Sequence, residues 1–362
     1  MSRVLRFDKR LLTVTMGLLA AGLVMIYSSS AAFALTRKGD PNYFFTHQAI
    51  WAVIGLGALL VTLRIPYARW SERRVVLGIM ILEALLLLWA LASHPINGSH
   101  RWIKLGPMTL QPSETAKLAV IIFGAYMLNK RIQEQKEWVQ VFIPLAVYTG
   151  FVAVLILIQP DLGAVVVLGC VMLSLLFVAG LPWKAFGVLI AGGILAVGLL
   201  AVSSPYRRDR LMTFLNPDAD PRHSGFQAQQ SLIAVGSGGV TGKWLAGGSQ
   251  KLLFLPLPHT DFIYAMIGEE LGMAGNVAVL ASFLLFGYLG LKAMKAAPDP
   301  FGAYLALGIT SWVVLQAILH ICVTLTLLPT KGLPLPLLSY GGSNLVVTMA
   351  GVGILLNVSQ HE

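Results

Sequence analysis

Apolar runs of about twenty residues recur along the chain, each broken by a short polar or proline-bearing stretch. A hydrocarbon core about 30 Å thick takes roughly 20 apolar residues per helix. That criterion places ten spans, at 11–35, 46–64, 75–93, 113–129, 138–158, 161–181, 185–203, 267–291, 303–327 and 343–358. Spans five and six are separated only by Gln159-Pro160-Asp161, which predicts a tight hairpin, since proline disfavours helix at the residue before it. The expected fold class is all-α, a polytopic membrane protein with residues 1–362 as one transmembrane domain and no internal repeat.

Composition agrees with the pattern. Hydrophobic residues make up 56% of the chain and charged ones 12%, with mean hydropathy +0.75. A soluble domain averages about 25% charged residues. The first apolar run follows Arg3, Arg6, Lys9 and Arg10 and is too long for a signal-peptide core, so no cleavable leader is expected. The net charge of +10 suits anionic lipid. Its basic residues are spread over many loops, which argues against a nucleic-acid partner, for which they would gather on one face. Cys170 and Cys322 fall in apolar runs and give neither a disulfide framework nor a metal spacing.

Orientation follows from lysine and arginine in short loops. With the N-terminus inside, the cytoplasmic segments collect Arg64, Arg69, Arg73, Arg74, Lys130, Arg131, Lys136, Lys184, Lys292 and Lys295 besides the N-terminal group. The short outer loops hold only Arg37, Lys38, Arg101, Lys104 and Lys331. Both termini are thus expected in the cytoplasm, with a long extracytoplasmic loop, about 204–260, between helices 7 and 8.

The outer side carries the polar chemistry. Loop 94–112 leads into Ser113-Glu-Thr-Ala-Lys117. The long loop holds Tyr206-Arg-Arg-Asp-Arg210 and a glycine-rich stretch, 236–248, that lacks a Walker pattern and reads as flexible. Its end, Phe254 to Gly272, brings His259-Thr260-Asp261 and Glu269-Glu270 to a membrane boundary, where ionisable groups are functional-site candidates. Asp261 has two readings from the residues alone, a general base or the N-cap of the helix that follows.

These segments resemble the SEDS family (shape, elongation, division and sporulation proteins) of the bacterial cell wall. The matching stretches are Arg101-Trp-Ile-Lys-Leu-Gly106 with Gln111-Pro-Ser-Glu114, Gln159-Pro-Asp-Leu-Gly163, Tyr206-Arg207, His259-Thr-Asp-Phe-Ile263 with Glu269-Glu-Leu-Gly272, and Leu328-Pro-Thr-Lys-Gly-Leu-Pro-Leu-Pro336 with Ser339-Tyr-Gly-Gly342. They occur in family order along the whole chain. The last of them, with Met25-Ile-Tyr-Ser-Ser-Ser-Ala31, is more similar to the division branch than to the elongation branch. His320 stands where Asn is common, and Asn344 where a second Ser is common.

The resemblance implies a peptidoglycan glycosyltransferase of the bacterial plasma (inner) membrane, polymerising lipid II into β-1,4 glycan strands at the outer leaflet. It further implies a class B penicillin-binding protein as partner, along with other divisome or elongasome proteins. Rival readings are a lipid II flippase and a non-catalytic scaffold for the penicillin-binding protein. A flippase needs a site near the bilayer midplane, where this chain offers little beyond Glu83, alone in an apolar run.

Under that reading Asp261 is the general base for the acceptor hydroxyl. Arg101, Lys104, Tyr206, Arg207, Arg210, Lys331 and Ser339 are the candidates for the sugar and pyrophosphate, with Arg208 and Lys243 as further cations. Glu114 and Lys117, three apart on one helix face, are expected to pair. Asp161, beside Gln159, either caps the sixth span or meets substrate. His259 and Thr260 shape the loop. Helical periodicity turns Glu269 nearer to the side of Asp261 than Glu270, and polar support inside the bundle is expected of both. No cofactor is encoded; a divalent cation, Mg or Mn, would suit the pyrophosphate, but no ligand cluster demands one.

Overall fold

The structure is a computed structural model that describes residues 7–95, 98–106, 108–203, 208, 210–212, 214, 224–248, 258–329 and 332–361. Helices α1 (Lys9–Lys38), α2 (Tyr43–Arg64) and α3 (Arg73–Ala92) are followed by a small hairpin of β1 (Ile103–Leu105) and β2 (Met108–Leu110). Next come α4 (Pro112–Gln133), α5 (Trp138–Ile158), α6 (Leu162–Val178) and α7 (Trp183–Val202), then a shorter α8 (Ser224–Ser237). The chain closes with α9 (Ile263–Ala296), α10 (Pro300–Thr324) and α11 (Gly342–Val358). Apart from α8, each helix stands on one of the ten apolar runs.

Among the described residues seven helices are long and apolar enough to cross a membrane, namely α1, α2, α3, α5, α7, α9 and α10, while α6 and α11 are shorter apolar helices. The departure is α4, which carries Glu114, Lys117, Lys130 and Arg131. It tolerates them because it is enclosed, touching α3, α5, α6, α10 and α11. Helix α7 is the opposite case: it packs chiefly on α6 and buries no residue, so its apolar surface is left for lipid.

Local chemistry sets the ends. The Asp8 carboxylate accepts from Arg10 N at 2.7 Å, and Gly39, at φ 73°, closes α1 in the left-handed conformation. Asp299 caps α10 ahead of Pro300. At that end of the bundle Tyr67 donates its hydroxyl to Asp299, and Asn357 accepts from Tyr67 N at 2.8 Å.

Helix α9 is broken at Gly272, whose φ of 68° and ψ of −165° an L side chain rarely adopts. The break frees backbone groups, and residues 239–243 take them: Met273 N donates to Gly239 O, Ala274 N to Val240 O, and Lys243 N to Glu269 O. A Cβ on Gly242 would stand 2.2 Å from Glu270 O. The stretch 236–248 is therefore not the flexible loop expected from its glycines. Its glycines allow backbone to dock on backbone. The long connection also contains α8, tied to α10 by a 2.7 Å hydrogen bond from Ser231 Oγ to Thr324 O.

Candidate active site

Asp261 lies in the turn 258–262 just before α9, and that turn is held from below. Tyr340 N donates to His259 O at 2.9 Å. Ser339 Oγ donates to Thr260 O at 2.7 Å and accepts from Leu335 N at 2.8 Å. The His259 ring stacks 4.2 Å from Phe44, with Phe33 and Tyr340 beside it. The N-cap position of α9 is Phe262, which makes no side-chain cap hydrogen bond, so the capping reading of Asp261 is not realised. Gly332 forms a wall: a Cβ there would sit 3.4 Å from Asp261 Oδ2.

Electrostatics follow from this placement. Burial pushes the Asp261 carboxyl up to about 6, against the pull of Arg210 and Arg101 and with a small push from Asp161. Burial moves His259 the other way, down to about 4, so its imidazole is neutral at neutral pH.

Arg101 clamps the α5–α6 hairpin. Its Nε donates to Gln159 O at 2.9 Å, and its Nη2 to Pro160 O. The Gln159 side chain points inward and donates to Leu87 O at 3.0 Å. Asp161 caps α6 by accepting from Ala164 N, and its other oxygen accepts from Ser113 Oγ at 3.0 Å and Gln111 Nε2 at 3.2 Å. The hairpin, the start of α4 and the Asp261 turn thus converge at one end of the bundle.

Glu114 and Lys117 do pair, at 2.8 Å and fully enclosed. Asn344 donates to the same Glu114 oxygen at 2.7 Å. Lys117 also donates to Gln316 Oε1 at 2.7 Å, and Gln316 Nε2 donates to Pro334 O at 2.8 Å. The network therefore leads to the segment below Asp261.

Glu269 and Glu270, both fully buried, take partners away from that turn. Lys243 reaches Glu269 at 3.1 Å, and Ser28 donates to Glu270. The helical projection from Asp261 does not carry over, because Asp261 lies outside α9. Lys243 joins this cluster instead of the candidate cations. Lys104 and Arg208 are exposed, and Lys104 rims a hollow of about 370 Å³ with Trp89, His94 and Trp102. Tyr206, Arg207 and Lys331 lie outside the described residues. Ser339 is occupied by backbone on both sides. Among the described residues no group of three or more His, Cys, Asp or Glu is arranged to hold a metal.

Sequence reasoning passed over Gln48 and Gln316, and marked Asn344 only as a departure from the family's usual serine. Gln48 bridges Ser339 O and Gly341 N, and so braces the same turn. Uncharged polar side chains inside apolar runs are the signal that marks such residues, because they hydrogen-bond across helices in lipid.

The FtsW/RodA/SpoVE model, described as cell cycle protein, matches residues 9–362. A probable peptidoglycan glycosyltransferase FtsW of Geobacter metallireducens is 40% identical over 356 residues, covering 98% of this chain and 95% of the relative. The protein of the same name from Idiomarina loihiensis is 41% identical over 98% of this chain and 87% of its own length. Among solved structures, a chain from a study of polymerization and crosslinking by a peptidoglycan synthase complex superposes with TM-score 0.79 at 29% identity, covering 98% of both chains. The rod shape determining protein RodA of Thermus thermophilus superposes with TM-score 0.74 at 26% identity, over 98% of this chain and 97% of its own. With the family's motifs in order and its fold in place, this chain belongs to the FtsW/RodA/SpoVE (SEDS) family of cell cycle proteins.

Proposed function

We infer that this chain is a peptidoglycan glycosyltransferase acting in cell division, with Asp261 as its general base. The acceptor GlcNAc 4-hydroxyl gives its proton to Asp261 while its oxygen bonds to the anomeric carbon of the donor MurNAc. The bond from that carbon to the pyrophosphate breaks, undecaprenyl pyrophosphate leaves with the electron pair, and the linkage inverts from α to β.

The observation that carries this reading is a half-buried carboxylate in a turn pinned by Ser339 and Tyr340, which burial pushes up to about 6 against the pull of Arg210 and Arg101. A base works best when its pKa lies near the operating pH. Positive charge beside it stabilises the departing pyrophosphate. The same arginines hold Asp261 low enough to be ionised at neutral pH. The division role follows the name carried by the relatives, and a class B penicillin-binding protein is the proposed partner, in keeping with the synthase complex that superposes on this chain. The site is proposed to face the extracytoplasmic side of a bacterial inner membrane, an orientation that the lysine and arginine distribution supports.

The test is Asp261→Asn, assayed for glycan strands on lipid II with the partner present. Polymer should be lost while the complex still assembles. Strands formed at the parent rate would refute the assignment of the base, and lipid II crossing liposomes without polymer would favour transport.

A further inference from the structure

Residues 332–335 run under the Asp261 turn as a strap outside any helix, with Pro334 within it and Pro336 just after, and only Leu335 O is taken up by backbone, from Leu338 N and Ser339 N. In the interior of a bundle its backbone groups need other partners. Side chains supply them in sequence. His320 Nδ1 meets Leu333 O at 2.6 Å, Gln316 Nε2 meets Pro334 O at 2.8 Å, and Ser339 Oγ meets Leu335 N at 2.8 Å. His320 and Gln316 are four apart on α10, one helical turn, so they share a face and hold successive carbonyls. A carbonyl only accepts, so the His320 ring is the Nδ1–H tautomer. From the other side α6 closes on the strap, where a Cβ on Gly163 would stand 2.9 Å from the Leu333 side chain.

We propose that His320 is a positioning residue for Asp261. By fixing the Leu333 carbonyl it holds Gly332, the adjacent residue, as the wall beside the Asp261 carboxylate. The ring is buried, at 1% exposure, and acts through the strap without touching substrate. Gln316 does the same for Pro334, which gives the Glu114–Lys117 pair a purpose: Lys117 orients Gln316. Small displacements of a reacting group are costly, with a shift of about 1 Å able to slow a reaction about 100-fold. The proposal rests on Asp261 being the base.

The experiment uses the full chain, co-purified with its class B penicillin-binding protein, in lipid nanodiscs with lipid II. His320→Leu should lower kcat about 10- to 100-fold with KM nearly unchanged. It should also move the acidic limb of the pH profile down, because a loosened wall admits water to the carboxylate. His320→Asn, which keeps a donor for the Leu333 carbonyl, should recover most of the rate. Gly332→Ala, which sets a methyl against the carboxylate, should move the acidic limb up, and it serves if His320→Leu does not fold. Amide hydrogen exchange over 332–340 in the Asp261→Asn background reads the strap without activity, and should rise with His320→Leu. An unchanged rate and pH profile in a folded His320→Leu, or Asn no better than Leu, overturns the proposal. So does Gly332→Ala with neither rate nor limb altered. If Asp261→Asn remains active, the base assignment falls, while the exchange result still reports on the strap.

Discussion

Glu114 and Asp261 are acids at the same end of one bundle, and their surroundings could hardly differ more. Glu114 is enclosed and answered, with Lys117 and Asn344 both on one of its oxygens. Asp261 is half-buried, and Arg101 and Arg210 set its charge balance while the fixed contacts go to the backbone on either side of it. Solvation lost by Glu114 is replaced by direct partners, so it stays a structural charge. Solvation lost by Asp261 is replaced only in part, so its proton affinity rises toward the range useful for chemistry. A fixed loop with a perturbed side chain is how a fold offers a base. A pair answered from two other helices, by Asn344 and Gln316, is how it closes a gap between them.

The sharpest way to break the comparison is to neutralise each acid's partner or charge in turn. Asp261→Asn should cost at least about 100-fold in polymerisation rate and should not unfold the protein. Its stability effect has a definite sign. A carboxyl whose folded pKa lies above its unfolded value is penalised when ionised, and this loss is felt as pH rises through about 6. Asp261→Asn should therefore raise the melting temperature at neutral pH and lose that advantage below about pH 4, as differential scanning fluorimetry in detergent would show. Lys117→Met should do the reverse, costing about 3–5 kcal/mol of stability by stranding Glu114. A stable Lys117→Met protein would mean that the bond from Lys117 to Gln316 is not what holds α4 to α10.

Much of this was legible in the sequence, and for physical reasons. Ten apolar runs are a property of single segments, so each helix was readable without its neighbours. Asp261, Glu114 with Lys117, and the Asp161 cap were readable because charge in an apolar chain is rare. What escaped depends on pairs distant in sequence. Gly242 looks like a flexible residue until the break at Gly272 is known to lie against it. Gln316 and His320 look like tolerated polar residues until Pro334 O and Leu333 O are placed before them. Glu269 was projected along a helix as if Asp261 belonged to it, and it does not.

The pH profile sharpens the contrast from the side of Asp261 alone. Polymerisation by the parent should fall as pH drops through about 6, because the base becomes protonated. Arg210 lowers that pKa, so Arg210→Gln should move the acidic limb to higher pH and weaken activity most at mildly acidic pH. Arg210→Gln with a lower rate but an unmoved limb would assign the guanidinium to the leaving group alone. The Lys117 variant should move the limb down, as His320→Leu does, because Lys117 also orients Gln316 against the strap.

The smallest effect belongs to the third acidic cluster, at the kink of α9. Ser28 Oγ lies 2.8 and 2.6 Å from the two Glu270 oxygens and accepts from Ala246 N at 3.1 Å, so it joins α1, α9 and the docked glycine-rich segment. Ser28→Ala removes that link and should cost about 1–3 kcal/mol, the price of leaving a buried polar group short of one partner. The loss should appear as a lower melting temperature and faster amide exchange over 238–248, with kcat and the pH limb unchanged at temperatures where the protein stays folded. Such a result would set Glu270 with Glu114 among the acids that hold the bundle together. A tenfold fall in kcat at unaltered stability would instead move it beside Asp261, and the kink would then belong to the reaction.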